Sequence, residues 1–238
     1  MKQLKINYGY DGNPGAMILS IVVIIIIETI LFIIPGKLYS NIAFILLPFA
    51  IIWLAICIRM FAYIKIGKFR QRDAILSKVN WKGNEKVLDI GTGRGLLMIG
   101  AAKRLTEGKS IGIDIWRQED MANNSLDMTT RNVKLEGVAD RVEIRNEDIR
   151  KTSFSSNSFD VVLSNLCIHN IANKKERNDA CREINRILKS GGIAVIGDLF
   201  HRINEYSEIF KEEGMSVEIW KLKGYGTYTI PILIAIKK

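Results

Sequence analysis

The chain of 238 residues is poor in the side chains on which stapled folds and much acid–base catalysis depend. It has three cysteines, Cys57, Cys167 and Cys181, set far apart. They show neither a disulfide framework nor the spacing of a metal-ligand set, so no metal is expected and the thiols read as buried and reduced, as in the cytosol. Histidine is scarcer still, with His169 and His201 as the whole stock. The first third contributes little charge of either sign, although the chain as a whole carries +9. A basic remainder suits an anionic partner, either a lipid surface or nucleic acid.

What the first third has instead is hydrocarbon. Residues 1–15 are short and turn-rich and read as a poorly ordered N-terminal tail. Ala16 to Ile34 is then interrupted only by Ser20, Glu28 and Thr29. A helix of that length can cross a bilayer core of about 30 Å. Pro35-Gly36-Lys37 breaks the run, and Ile42 to Ile58 begins a second one that fades by Ile64. A signal peptide would have a shorter apolar core and no second run, and a soluble β-rich core would show periodic polar residues. The pattern therefore predicts a transmembrane helical hairpin over residues 16–64. Arg59, Lys65, Lys68, Arg70 and Arg72 crowd its exit and Lys2 and Lys5 precede it, while Lys37 stands alone between the runs. By the positive-inside rule this is a two-span protein of the cell membrane with both termini, and the domain that follows, in the cytoplasm. Glu28 is either a polar contact for a partner helix or substrate, or a group near the span's end that reaches water. From Phe61 to Val79 apolar and basic residues alternate, as in an interfacial helix or equally as the last turns of the second span plus a solvated linker, and residues 65–80 are taken as a basic juxtamembrane linker before a domain over 81–238.

In that domain Val87-Leu88-Asp89-Ile90 runs into Gly91-Thr92-Gly93-Arg94-Gly95, and a helix-forming segment follows. Strand, tight turn and helix present backbone N–H groups and a positive helix end to a ligand. A second strand ends on Asp114, whose carboxylate can accept from the hydroxyls of a ribose. The pattern is a nucleoside-cofactor site. A dinucleotide site would be spaced G-x-G-x-x-G. Here the spacing is G-x-G-x-G, with an acid two positions before the first glycine.

That stretch resembles motif I of the class I methyltransferases, which use S-adenosylmethionine (SAM). The resemblance extends in order and spacing through Gly112-Ile113-Asp114, Glu147-Asp148-Ile149, Ser158-Phe159-Asp160-Val161-Val162 and Arg186-Ile187-Leu188-Lys189-Ser190-Gly191-Gly192, over about residues 75 to 238. It implies a small-molecule methyltransferase on a Rossmann-like α/β fold. The sheet would be doubly wound and seven-stranded, its last strand antiparallel, with the two transmembrane helices added in front. Apolar runs place strands at Lys86–Ile90, Ser110–Ile115, Val142–Asn146, Phe159–Asn165, Gly192–Asp198, Met215–Lys221 and Thr229–Ile236. Helices are expected at Arg94–Thr106, Ser125–Glu136, Lys174–Leu188 and Asn204–Glu213. By resemblance, Gly91, Gly93 and Gly95 would cradle the methionine part of SAM, with Asp89 beneath the turn helping to hold its amino end. Asp114 would bind the ribose and Trp116 cover part of the adenine. Asp148 would accept from the adenine amino group, the Ile149 N–H would meet a ring nitrogen, and Asn165 would line the methyl-transfer face. Asp160 is read as packing or turn chemistry.

SAM carries an activated methyl, so the protein must align the acceptor, exclude water and remove a proton where the acceptor has one to lose. His169, His201 and Asp198 follow strand ends on the ligand side and are the candidate bases. After the fourth strand comes Ser164-Asn165-Leu166-Cys167, not the N-P-P-Y type of sequence of enzymes that methylate bases or glutamine amides, so nucleic acid is not expected as the substrate. Nor are there counterparts to the several cysteines of arsenite methyltransferases. A membrane-held enzyme suits a small amphiphilic acceptor such as a lipid headgroup, quinone or isoprenoid, since both partners share two dimensions. Three alternatives stay open: a soluble metabolite or RNA acceptor with the hairpin for localisation only, a non-catalytic SAM-binding membrane protein, and an NAD-dependent dehydrogenase.

Overall fold

The computed structural model describes residues 6–9, 14–33, 36–117, 124–221 and 230–238. They fall into two compact units, one from Met1–Gly9, Phe69–Gly224 and Thr229–Lys238, the other from Tyr10–Lys68 and Tyr225–Tyr228.

The second unit is a helical hairpin of α1 (Pro14–Ile33) and α2 (Lys37–Ala62), followed by wider π-helical turns at Tyr63–Gly67. The indole N–H of Trp53 on α2 donates to the Ser20 hydroxyl on α1 at 3.0 Å. Ala43 and Cys57 are buried, but many apolar side chains of the hairpin face outward, and Phe32, Phe44 and Phe49 are each at least 67% exposed. Among the described residues one helix, Asn41–Leu76, is long and apolar enough to cross a membrane, whereas the apolar part of α1, Ile18–Ile33, is shorter. Two spanning helices were expected, and one meets that length. Part of the expected break at Pro35 lies outside the described residues.

The first unit is built on a seven-stranded sheet: β1 (Lys86–Ile90), β2 (Lys109–Asp114), β3 (Val142–Asn146), β4 (Phe159–Asn165), β5 (Leu188–Gly197), β6 (Ser216–Trp220) and β7 (Ile232–Ile236). Their order is β3-β2-β1-β4-β5-β7-β6. β7 runs antiparallel to both its neighbours, and the other pairs are parallel. The helices are α3 (Lys68–Leu76), α4 (Leu96–Ala102), α5 (Leu126–Leu135), α6 (Lys174–Ile187) and α7 (Phe200–Glu212). The strands match the expected ranges within a few residues, except that β5 starts four residues early and the expected opening of β7 at Thr229 lies outside the described residues. α7 begins one turn before Asn204.

The inner strands are apolar almost throughout because both faces are covered. Leu88 and Ile90 of β1 pack with residues of α6 and α7, while Val87 packs on the other side with Leu97, Ala101 and residues of α3. In β4 a register shift between Phe159 and Val161 interrupts the alternation, so that Phe159 joins the α6–α7 side and Val161 the α3–α4 side. Strand order reverses at β1, whose neighbours are β2 and β4, which opens the crevice for a ligand at the carboxyl ends of these strands.

Two sequence expectations change. The stretch read as a linker over 65–80 supplies a layer of the domain: Ile75 and Leu76 are fully buried, and Ala74 and Val79 nearly so, in the core with Val87, Leu163 and Val195. Full burial of each large side chain contributes about 2 kcal/mol, more than solvation of a free linker could offset. The tail read as poorly ordered is likewise part of the domain at residues 6–9. The Asn132 side chain on α5 accepts from the Asn7 N–H at 3.2 Å and donates to the Asn7 carbonyl at 3.0 Å. The Tyr8 hydroxyl donates to Glu136 at 2.5 Å, and its ring meets Phe69 edge-on. Asn132 is 1% exposed and also donates to the Arg94 carbonyl at 3.0 Å. Asn132→Leu strands these backbone groups, and thermal unfolding of the full chain is expected to show a loss of about 2–3 kcal/mol.

Candidate active site

The turn between β1 and α4 is held from three sides. Gly91 N–H and Thr92 N–H both donate to the Ile113 carbonyl on β2, at 2.9 and 3.0 Å. Beneath it, one carboxylate oxygen of Asp89 accepts from the Thr92 hydroxyl at 2.8 Å and from the Met98 N–H at 2.9 Å, stapling the turn to the first turn of α4. On the third side, a Cβ at position 91 would lie 2.2 Å from the Cys167 sulfur, and the backbone there has φ +65°. Both facts demand glycine. Gly93 and Gly95 also have positive φ, and Gly95 caps α4. Asp89 is 2% exposed, and burial lifts its carboxyl to about 7, against the pull of the Thr92 and Met98 donors.

Asp114 closes the turn from the end of β2. Its carboxylate accepts from the Gly93 N–H at 2.8 Å, the Trp116 N–H at 2.7 Å and the Asn124 amide at 3.3 Å. Trp116 adopts φ +57°, a conformation a large side chain rarely takes, and is half-buried. The Thr129 hydroxyl donates to the Gly93 carbonyl at 2.5 Å, so α5 also grips the turn. Asp148 lies past β3, with both carboxylate oxygens on the Arg150 guanidinium, which holds its carboxyl below the usual range. Arg150 pairs onward with Glu176. Any adenine contact at Asp148 therefore shares this ion pair. Ile149 beside it is 6% exposed.

On the other side of the crevice, Asn165 ends β4 and Asp198 follows β5. Asp198 is fully buried and accepts four bonds: His169 Nδ1 at 2.6 Å, Leu199 N–H at 2.8 Å, and His169 N–H and the Tyr206 hydroxyl each at 3.2 Å. Burial, with Asp198 alongside, pushes the Tyr206 hydroxyl far up, so it remains a donor. Two of the three candidate bases, His169 and Asp198, thus form one unit. Having no exposed surface, Asp198 does not meet an acceptor itself: it orients His169, whose side chain is 23% exposed. A carboxylate at Nδ1 favours the tautomer with its proton there, which leaves the Nε2 lone pair facing away from Asp198. Arg177, 3% exposed, anchors the His169 loop by donating to the carbonyls of Ile171 and Ala172 while its fork holds Glu205 on α7. His201 sits exposed in the first turn of α7, apart from this unit. Asp160 accepts from the Lys86 N–H and pairs with Lys189, which is packing chemistry.

Residues 88–196 match the family model for a methyltransferase domain. Over that stretch the chain is similar to methyltransferase domains. It is similar to the demethylmenaquinone methyltransferase of Bacteroides fragilis, 31% identical over 48% of this chain and 43% of that protein. The sarcosine/dimethylglycine N-methyltransferase of Aphanothece halophytica is 32% identical over 50% of this chain and 39% of that protein. The chain spans less than half the length of these two relatives. A solved SAM-dependent methyltransferase from Aquifex aeolicus superposes with TM-score 0.55 over 69% of this chain and 89% of that one, at 20% identity, which speaks for the fold. The residues present fit SAM. The turn has no room for a side chain at Gly91, a carboxylate stands at the end of β2, and a buried acid that can ionise near neutrality lies under the turn for a cationic amino acid.

Sequence reasoning missed Asn124, Thr129 and Asn132 behind the turn, and Arg177 and Tyr206 behind the histidine. None sits in a motif: Thr129, Asn132, Arg177 and Tyr206 lie on ordinary amphipathic helices, and Asn124 lies in the loop before α5.

Asp89 carries a testable linkage. Folded, it holds its proton up to about pH 7. Unfolded, it does so only to about 4. The folded state thus binds the extra proton in that window, so this group's contribution falls as pH rises from 4 to 7, by about 4 kcal/mol in total, and is level outside it. A cationic ligand favours the ionised form. Calorimetry of SAM binding at pH 6 in two buffers of different ionisation heat is expected to show proton release that disappears in Asp89→Asn.

Proposed function

We propose that the protein moves the methyl group of SAM to a small amphiphilic acceptor drawn from a membrane, with His169 as the base. The observation that carries the base is the 2.6 Å bond from His169 Nδ1 to a fully buried carboxylate. SAM supplies an electrophilic methyl that needs no further activation. The glycine turn, Asp89 and Asp114 would hold it by its amino acid and ribose, with Trp116 and Asp148–Ile149 at the adenine end and Asn165 on the transfer face. His169 Nε2 takes the acceptor proton as the methyl arrives, and Asp198 steadies the imidazolium.

The membrane part of the reading rests on the hairpin. Only 11% of the most apolar window of helix Asn41–Leu76 is buried, which is unlike a core helix. Arg59, Lys65, Lys68, Arg70 and Arg72 follow that stretch as they would on a cytoplasmic face. A demethylmenaquinone methyltransferase among the relatives supports a quinone-like acceptor. The sarcosine/dimethylglycine relative favours a second reading, a small water-soluble amine.

The test incubates the full chain in lipid nanodiscs with methyl-labelled SAM, a membrane lipid extract and, separately, a water-soluble metabolite extract. Label passing into the organic phase is expected. Label found only in water-soluble product, at an equal rate when residues 10–68 are replaced by a short flexible linker, would overturn the membrane reading. His169→Ala is expected to lower kcat by about 10²–10⁴ without changing SAM affinity, and Asp198→Asn to lower it by less. Rates unchanged in both variants would remove His169 from the chemistry.

A further inference from the structure

The back of the cofactor turn is held by α5, and α5 is held in turn by a short segment that lies before the hairpin in sequence. Thr129 and Asn132 donate to the carbonyls of two successive turn residues, Gly93 at 2.5 Å and Arg94 at 3.0 Å. In a trans peptide the N–H points opposite to the carbonyl. Fixing these carbonyls towards α5 therefore sends the Arg94 and Gly95 N–H groups the other way, and the Gly95 N–H closes the turn on the Thr92 carbonyl at 2.7 Å. The Asn132 amide is fully used only because residue 7 is beside it. Its oxygen accepts from the Asn7 N–H at 3.2 Å, while its nitrogen donates to the Asn7 carbonyl and to the Arg94 carbonyl, each at 3.0 Å. A half-turn of the side chain would exchange the two ends of the amide. The paired bonds to Asn7 forbid that half-turn, which would set oxygen against the Arg94 carbonyl.

Tyr8 adds a second hold. It packs against the cluster of Met98, Ile99 and Ala102 on α4 with Val133 on α5. Its hydroxyl donates to one oxygen of Glu136, just past α5, while Lys103, just past α4, donates to the other, both at 2.5 Å. α4 is the helix the turn runs into: the Met98 N–H holds Asp89, and a Cβ at Gly95 would lie 3.0 Å from Ile99. Residues 6–9 thus engage both helices that fix the turn from behind. We propose that this segment is a strap belonging to the cofactor site, with Asn7, Tyr8 and Asn132 as positioning residues that set the pitch of the glycine turn for SAM. They act through the turn, not on the ligand. The strap lies outside the matched stretch 88–196 and is parted from the turn in sequence by the whole hairpin. Coupling between binding events is reciprocal, so a strap that tightens SAM is itself tightened by SAM to the same degree.

The experiment uses the full chain in lipid nanodiscs, with SAM itself as the probe. Asn7→Pro removes the donor to Asn132, and Tyr8→Phe removes only the hydroxyl to Glu136. Calorimetry well below the unfolding temperature is expected to show SAM binding about tenfold weaker in Asn7→Pro, and weakened by less in Tyr8→Phe. Lys237→Met is the control for lost stability alone. The Lys237 ammonium donates to the carbonyls of Asn185 and Leu188, at the start of β5 and away from the ligand edge of the sheet. That variant is expected to unfold at a lower temperature and to bind SAM as wild type does. Affinity in Asn7→Pro within about twofold of wild type, or an equal loss in Lys237→Met, overturns the strap's role. Hydrogen exchange on the wild type tests the reciprocal effect. Saturating SAM is expected to slow exchange of the amides of residues 7–9, and an unchanged rate there overturns the proposal. If Asn7→Pro does not fold, Tyr8→Phe and the wild-type exchange decide in the same way. Wild type that binds no SAM would remove the cofactor reading and the strap's role with it, a result distinct from binding that ignores the strap.

Discussion

The turn that leaves β1 and the loop that leaves β4 touch where Gly91 meets Cys167, and the contact leaves space for little more than a hydrogen atom. The rest of the site is set by it. The turn is pinned to β2 through the Ile113 carbonyl and to α4 through Asp89, so its height above the sheet is fixed. Asn165 and His169 lie on either side of Cys167 in sequence. The groups proposed to face the acceptor therefore take their positions from the contact that shapes the cofactor turn. Methyl transfer needs three atoms in line, and a displacement of about 1 Å can cost a hundredfold in rate. A direct touch between the two halves is the most economical way to keep them in register.

Two buried acids illustrate how surroundings divide labour between like groups. Asp198 accepts four donors spread over both its oxygens, two of them from His169, and so fixes the place of that ring. The bonds given to Asp89 fall on one oxygen, with Asp114 close enough to add repulsion, and its carboxyl rises to about 7. The first is organised for permanence. The second is poised to respond to whatever charge comes to rest above the turn.

Much of this could be read from the chain. Val87-Leu88-Asp89-Ile90 before three closely spaced glycines specifies strand, turn and helix by local chemistry, and Asp114 follows at the distance a crossover helix requires. His169 and Asp198 were each visible as polar residues after apolar strands. Their pairing was not, because it depends on β4 and β5 lying side by side, a fact of topology with no local signature. The burial of Gln71, which is 1% exposed, was hidden differently. It stands in Lys68-Phe69-Arg70-Gln71-Arg72, where basic neighbours dominate and suggest solvent or lipid phosphate. The residues that decide otherwise, Ile75 and Leu76, come a turn later. The N-terminal tail misled for a like reason. Asn7 binds through its backbone N–H and carbonyl and Tyr8 through its hydroxyl, and neither leaves a periodic trace.

The path of the chain has its own consequence. Residues 6–9 belong to the catalytic unit, the chain then leaves for the hairpin, and it rejoins that unit at Phe69. In topology the hairpin is an insertion, not a leader. Cleavage within it would yield two fragments, the smaller still able to clasp α5 through Asn7 and Tyr8, so a nicked protein could hold together without a covalent bond. By the same logic, the hairpin is better removed by joining the two ends across the gap than by starting at residue 69. The chain is stitched at both edges of what looks, in sequence, like an appendage.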